Sequence, residues 1–181
     1  MSEFENYSNE LLQSSKEFLL QAKNSKSQVE EQRLFRASLT HAFFFLESQL
    51  NYIASHFENS VEFSTIEKSL LRERDIALEK GRFVITERQK YYNLEDRIEF
   101  LLARFAENLQ KSKGDWFSNL KTSIAVRNRL VHPKNAHKIT HADVERAILA
   151  ALGCLSALYH AIFGKPFPPS ALGLHLGPET Q

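Results

Sequence analysis

Cysteine occurs once in 181 residues, as Cys154. A single thiol excludes a disulfide framework and a multi-cysteine zinc site, and it suits a reducing compartment. Glycine is scarce at 6 and proline at 5. So few turn formers argue for long helices and against a many-stranded sheet. A net excess of charge is also missing. Lys and Arg number 23 against 22 Asp and Glu, a formal net charge of +1, so the whole chain is no polycation. The start, Met1-Ser2-Glu3-Phe4-Glu5-Asn6, lacks the basic residues and apolar run of a secretion signal. No uninterrupted apolar stretch reaches membrane-spanning length, so no membrane association and a cytoplasmic location are expected. What the chain has in plenty is phenylalanine, 14 of them. Hydrophobic residues at 43% and charged residues at 25% sit near the soluble average, which excludes a disordered or fibrous chain. The length is that of one domain.

The neutral total conceals a segregation. Residues 1–62 carry a net charge of −4, residues 63–110 are neutral, residues 111–138 carry +6, and the remainder −1. The basic stretch holds Lys111, Lys113, Lys121, Arg127, Arg129, Lys134 and Lys138 against Asp115 alone. Such a stretch is either a patch for a polyanion or the solvated face of a helix.

Apolar spacing predicts an all-α fold, an antiparallel bundle of five to six helices. A first, broken stripe runs from about Phe4 to Ala22. The strongest helix covers about Gln28 to Phe57, with Leu39, Phe43, Leu46, Leu50 and Ile53 at spacings of three and four. A third helix is expected from about Thr65 to Lys80, closed by Gly81. Phe83-Val84-Ile85-Thr86 reads as a short extended piece or a loop. A fourth helix starts at Asn93 as cap and continues through Ile98, Leu101, Leu102 and Phe105. A fifth begins with Asp115 as N-cap and carries Trp116, Leu120, Ile124, Arg127 and Val131 on one stripe. Pro133 ends it at His132. Thr140 and Asp143 have capping-box spacing ahead of a long apolar helix to about Phe163, ended by Gly164. Residues 1–164 are expected to form one domain, and 165–181 a proline-rich surface tail.

Two charges lie on apolar stripes. Arg127 follows Leu120 by seven positions and Ile124 by three; Glu47 follows Phe43 by four and precedes Leu50 by three. A buried charge needs a partner or a wet cleft, so the two helices are expected to pack with Glu47 facing Arg127 or Asn128. Such a pair either fixes helix register or aims the arginine into a polar cleft.

The segment Arg127-Asn128-Arg129-Leu130-Val131-His132 resembles the R-x4-6-H signature of the HEPN superfamily, in the form where Asn follows Arg. Its position at the end of a late helix in an all-α chain, downstream of a helix with an inward Glu, strengthens the resemblance. The likeness spans roughly Glu30 to Phe163. It implies a homodimeric ribonuclease that needs no metal or other cofactor, with two motifs facing each other in a composite active site. The settings it implies are toxin–antitoxin pairs, antiviral defence and RNA processing, so an antitoxin or other inhibitory protein is an expected partner beside RNA. Arg127, Asn128 and His132 match the motif, and Glu47 matches an acidic residue used in some branches. One branch has a Tyr two residues after the His that a partner enzyme modifies; here that position is Lys134, which argues against such control.

These residue types suit RNA cleavage. Histidine titrates near neutral pH and serves as general acid or base. Arginine offers a permanent charge and a forked donor for phosphate oxygens. Asparagine can bond a phosphate oxygen or orient the histidine. His132 is thus the expected proton-transfer group, Arg127 the phosphate clamp, and the products a 2′,3′-cyclic phosphate and a 5′-hydroxyl. Arg129, Lys134, Lys138, His137 and Lys121 are candidates to hold the flanking backbone. Tyr91, Tyr92 and Trp116 are candidates to stack on bases, although Trp116 also begins an apolar stripe and the tyrosines also suit loop packing. His137 and His141 are four apart, but the Thr140 cap between them breaks the continuous helix that a zinc pair needs. Cys154 reads as core, and His41 as packed or capping. The alternative function is a non-catalytic HEPN module binding RNA, nucleotide or a protein partner; a purely structural bundle is the third.

Overall fold

The computed structural model describes residues 3–176; residues 1–2 of the acidic start and 177–181 of the expected tail lie outside the described residues. Helix α1 (Glu3–Asn24) and helix α2 (Gln28–Ser55) form an antiparallel hairpin around a three-residue turn. Ser27 caps α2 by accepting a hydrogen bond from the backbone N–H of Glu30. The α2 stripe is buried as its spacing requires, through Phe35, Leu39, Phe43, Leu46, Leu50 and Ile53. The break in the α1 stripe has a physical cause. Ser8 and Ser15, seven residues apart, are fully buried where a second row of apolar side chains would otherwise stand. Ser15 Oγ donates to the Ser38 carbonyl at 2.8 Å, and Ser38 Oγ returns a bond to the Ser15 carbonyl at 2.6 Å. Gln49 Nε2 donates to Ser8 Oγ at 2.7 Å. Small hydroxyl side chains let the two helices close on each other while the buried polar atoms of this row find partners.

After α2 the chain enters helix α3 (Thr65–Arg72), opened by a Ser64–Glu67 capping box. The expected continuation to Lys80 is wrong. Helix α3 stops at Arg72, with Glu73 in the left-handed region at φ 51°, and the chain turns into an antiparallel hairpin of β1 (Arg74–Glu79) and β2 (Arg82–Gln89). Lys80 and Gly81 both have positive φ, 50° and 79°, the geometry of a two-residue hairpin turn. Gly81 therefore serves the turn and not a helix end. Ile76 pairs with Ile85 and Leu78 with Phe83, so one hairpin face is apolar. The fold is mostly helical, as expected of a helical bundle, with this small two-stranded sheet added to it.

Helix α4 (Leu94–Phe105) buries Ile98, Leu101 and Leu102. Asn93 occupies its N-cap position without a side-chain cap bond to the backbone and instead donates to Asp96 Oδ2 at 3.3 Å. A single turn, α5 (Leu109–Ser112), precedes helix α6 (Gly114–Val131). Asp115 is not the N-cap of α6, as the sequence suggested; Lys113 is, and Asp115 lies in the first turn, where a carboxylate faces the positive end of the helix dipole. Helix α7 (His141–Phe163) has the expected Thr140–Asp143 capping box and a left-handed Gly164 at φ 71°. There are thus seven α-helices among the described residues, against the five to six expected.

Helix α7 is the spine of the core, burying Val144, Ile148, Leu152, Leu155 and Leu158. By length and composition it could also cross a membrane, but charged residues interrupt its apolar run and much of it is buried in the core. Its approach to α6 is tight. A Cβ at Gly153 would stand 2.7 Å from Trp116 Cβ, so only glycine lets the indole lie against α7. Trp116 Nε1 donates to the Ser112 carbonyl at 3.0 Å, which makes this ring a packing element and not a free stacking surface. Four of the many phenylalanines, Phe57, Phe63, Phe100 and Phe105, close the end of the core between α2 and α4, the nearest pair at 4.7 Å between centroids. Against expectation, the described part of the tail does not lie wholly on the surface without regular structure. Phe167 is buried against Phe45 and Tyr159, a 3₁₀ turn follows at Pro168–Leu172, and Lys16 Nζ donates to the His175 carbonyl at 2.7 Å.

Candidate functional site

The charged residues on the α2 and α6 stripes meet. Arg127 Nη2 donates to Glu47 Oε1 at 2.9 Å, with 35% and 34% of the two side chains exposed. The guanidinium also lies over the Phe43 ring, 5.7 Å from its centroid. Two supports from α2 therefore hold one edge of Arg127, and the other guanidinium N–H groups have no partner among the described residues. Burial pushes the Glu47 carboxyl above its ordinary range; Arg127 opposes that, Glu73 adds to it, and Arg97 opposes it.

This pair stands at one wall of a cleft of about 550 Å³. The lining comes from α2 (Glu47), the α3–β1 junction (Glu73), the segment before α4 (Tyr91, Tyr92, Asn93), α4 itself (Leu94, Glu95, Asp96, Arg97) and α6 (Ile124, Arg127, Asn128). A second ion pair lines the same cleft. Arg97 Nη1 contacts Glu73 Oε2 at 3.0 Å, and Arg97 Nη2 donates to Asn51 Oδ1 at 2.7 Å. Arg97 is buried, and burial lowers its basicity against the opposing pull of Glu73 and Glu47. Glu73, Arg97 and Asn51 were not foreseen. Arg97 carried a readable signal: it sits three residues after Leu94 and four before Leu101, a charge on an apolar stripe like Arg127 and Glu47. Glu73 carried none, since its place depends on the unforeseen hairpin.

Asn128 lines the cleft and is exposed. His132 does not line it. It is the C-cap residue of α6, at φ −124° and ψ 65°, with its backbone N–H bonded to the Asn128 carbonyl at 3.0 Å. Pro133 ends the helix as expected, and the exposed His132 has no side-chain partner among the described residues. The structure therefore brings Glu47, Arg127 and Asn128 together at the cleft and places His132 one turn further along the same helix.

The remaining basic candidates divide. Arg129 is exposed on the last turn of α6, and Lys134 and Lys138 are exposed on the loop to α7, with His137 partly covered. That loop is tied down: Gln32 donates to the Ile139 carbonyl at 2.8 Å and accepts from the Ile139 N–H at 3.0 Å, and Ile139 is buried. Lys121 is already engaged with Glu95 Oε2 at 3.2 Å. The tyrosines differ too. Tyr92 is fixed by its hydroxyl, 2.8 Å from Ser69 Oγ, whereas Tyr91 is 77% exposed on the cleft rim. His141 faces Glu145 at 3.7 Å and packs edge-on against Phe35. His41 Nδ1 lies 2.8 Å from the Ala37 carbonyl, as a packed histidine does. Cys154 is fully buried and burial pushes its thiol far up, so it is no nucleophile. Among the described residues no group of three or more His, Cys, Asp or Glu is placed to hold a metal ion. No family model, curated protein or solved structure matches this chain.

Proposed function

We propose that this chain is a metal-independent endoribonuclease of the HEPN type, acting as a homodimer in the cytoplasm as a toxin or antiviral-defence effector. One observation carries the reading: Arg127 is held at the mouth of an open cleft by Glu47, one helical turn before an exposed, partner-free His132 at a helix end. A phosphate needs a cation that is aimed but not consumed. The contact with Glu47 uses one guanidinium nitrogen and leaves the others to bond phosphate oxygens. Asn128 adds an amide donor on the same wall.

In the proposed reaction one His132 takes the proton of the 2′-hydroxyl, and the freed oxygen attacks the adjacent phosphorus. The bond to the 5′-oxygen breaks, and that oxygen receives its proton from the His132 of a second copy. The products are a 2′,3′-cyclic phosphate and a 5′-hydroxyl. Arg127 stabilises the charge that builds on the phosphorane oxygens. Arg129, Lys134, Lys138 and His137, clustered at the same end of α6, hold the flanking backbone. Two-fold pairing through this end would bring two copies of Arg127, Arg129, Lys134 and Lys138 into one groove.

The test is incubation of the pure full-length chain with total RNA in EDTA beside the His132→Ala variant. Wild-type protein is expected to leave cyclic-phosphate ends, and the variant to cut at least about 100-fold more slowly while melting at the same temperature. Cutting by the variant at the wild-type rate removes the catalytic assignment. The engagement of Arg127 by Glu47 also suits the second reading, a non-catalytic module that binds RNA, nucleotide or a protein partner. That reading predicts no cleavage at any protein concentration, with binding that weakens in Arg127→Ala.

A further inference from the structure

The cleft beside Arg127 has the wrong interior for a phosphate. Its lining carries the carboxylates of Glu47, Glu73, Glu95 and Asp96 against the guanidinium groups of Arg97 and Arg127. Each arginine is already paired with a carboxylate, Lys121 pairs with Glu95, and Asp96 is exposed, so the inner carboxylates are Glu47 and Glu73. A phosphate pushed inward would meet Glu47 and Glu73 with both arginines already engaged, so its place is beside Asn128 and the N–H groups that Arg127 leaves unspent. The interior calls for a neutral group rich in hydrogen-bond donors. Its volume, about 550 Å³, lies within the roughly 300–1,000 Å³ typical of small-molecule sites.

We propose that the cleft is a base pocket, which takes a guanine from the nucleotide next to the cleaved phosphate, stacks it on Tyr91 and reads it with the carboxylate of Glu73. The assignment rests on the ribonuclease reading for the phosphate position and adds the specificity. Tyr91 presents its ring at the rim with 77% of its surface exposed, while the adjacent Tyr92 is tied to Ser69; one tyrosine is packed and the other is free to stack. Glu73 is held for recognition. Its Oε2 is braced by Arg97 at 3.0 Å, Arg97 is in turn fixed by Asn51 at 2.7 Å, and Glu73 Oε1 has no partner among the described residues. Glu47 is similar, with Oε1 on Arg127 and Oε2 without a partner among the described residues. Carboxylates accept and do not donate. Guanine alone among the four standard bases presents two adjacent donors, N1–H and the N2 amino group, on its pairing edge. Adenine and cytosine offer one donor beside an acceptor, and uracil offers one donor between two acceptors. An acceptor-lined pocket therefore selects guanine and leaves the other bases with an oxygen or nitrogen lone pair against a carboxylate.

Two measurements on the full-length chain test this. The first titrates the His132→Ala protein with guanosine 3′-monophosphate and, separately, with the adenosine, cytidine and uridine counterparts. Guanosine monophosphate is expected to bind best, and Tyr91→Ala and Glu73→Gln are each expected to weaken it about tenfold. Tyr91→Ala removes an exposed ring and keeps the test valid even where Glu73→Gln loosens the fold. Equal binding of all four nucleotides, binding of none, or undiminished binding by both variants overturns the pocket. The second maps cut sites of the protein with His132 intact by sequencing the cyclic-phosphate ends. Cuts are expected beside guanine, and Glu73→Gln is expected to spread them over all four bases. Cleavage without base preference, unchanged in Glu73→Gln, removes the pocket and leaves the ribonuclease reading standing. Guanosine binding that follows Tyr91 and Glu73 in a protein that cuts no RNA removes the ribonuclease reading and leaves the pocket.

Discussion

Polar groups are buried on both sides of this molecule, and the two sides treat them differently. Between α1 and α2 the buried polar row of Ser8, Ser15, Ser38 and Gln49 is neutral, and Ser15 and Ser38 satisfy each other's carbonyls directly. Between α2, α4 and α6 the polar residues are charged and long: Glu47 with Arg127, and Glu73 with Arg97. Each of these ion pairs stands on the wall of an open cleft and keeps donors or acceptors unspent. A neutral, closed network fixes register at little cost in desolvation. A charged, half-open one costs more to bury, since solvent must be removed from ions, and it leaves capacity for a ligand. The comparison separates the part of the chain that folds from the part that can bind.

The largest expected effect breaks the core side. Leu46 is fully buried, and Leu46→Ala should cost about 2–5 kcal/mol through lost burial and the cavity left behind. Tyr91→Ala, on the cleft rim, should change stability by no more than about 0.5 kcal/mol. Urea unfolding followed by circular dichroism reads both. A comparable loss in the two variants would mean that the cleft rim is part of the core.

Next comes Gly153. A side chain there must displace Trp116, whose Cβ lies only 2.7 Å from the position a Cβ would take. Gly153→Leu is expected to cost about 1–3 kcal/mol by overpacking, even though leucine is the better helix former. Adding Trp116→Ala should recover part of that loss, giving a coupling of about 1 kcal/mol or more in a double-mutant cycle. Additive losses would show that α6 and α7 do not owe their approach to this contact.

A smaller effect is expected at the ion pair. Arg127→Met keeps the stem packed on α2 and strands the Glu47 carboxylate. About a third of each side chain is exposed, so solvent screens the loss, and the cost should be about 1 kcal/mol or less. RNA binding should fall far more than stability does. A large stability loss without any change in RNA affinity would assign the pair to register alone.

How much of this was readable follows from what kind of signal each element sends. Helices α2 and α7 carry long stripes at spacings of three and four, and their burial follows those stripes. The Thr140–Asp143 box is a local pattern with one geometric meaning, and it formed. The meeting of Glu47 and Arg127 was legible because a charge on a buried stripe must find a partner. The hairpin was not. Gly81 favours a positive φ, which serves a helix end and a two-residue turn equally, and the true end of α3 uses Glu73 in the left-handed region, where a glycine was expected. The better signal was the alternation of Ile76 with Leu78 and of Phe83 with Ile85 on either side of Lys80-Gly81. Serines in α1 hid its inner face, because a buried hydroxyl looks polar in sequence and is satisfied only by the neighbouring helix. The cleft, finally, is lined from α2, α4, α6 and the two segments that flank the hairpin, so no single stretch announces it.

The smallest expected effect has opposite signs on two carboxyl groups. At Asp143 burial alone would raise the pKa, but hydrogen bonds from the Thr140 side chain and backbone and from Arg146, with the charge of Arg146, together hold it below its ordinary 3.8. A depressed carboxyl contributes stability that is present above the ordinary value and is lost as pH falls through the folded one. At Glu47 burial wins over Arg127, and the folded pKa lies above the ordinary 4.5. Its contribution is fully present below that ordinary value and is lost as pH rises through the folded one. Unfolding free energies of wild type, Asp143→Asn and Glu47→Gln, measured over roughly pH 3 to 7, bracket both ranges. The difference between wild type and Asp143→Asn should grow with pH, and that between wild type and Glu47→Gln should shrink. Slopes of the same sign would mean that Glu47 is as well satisfied in the folded chain as a capping carboxylate, and that the cleft has no unspent acceptor to offer a base.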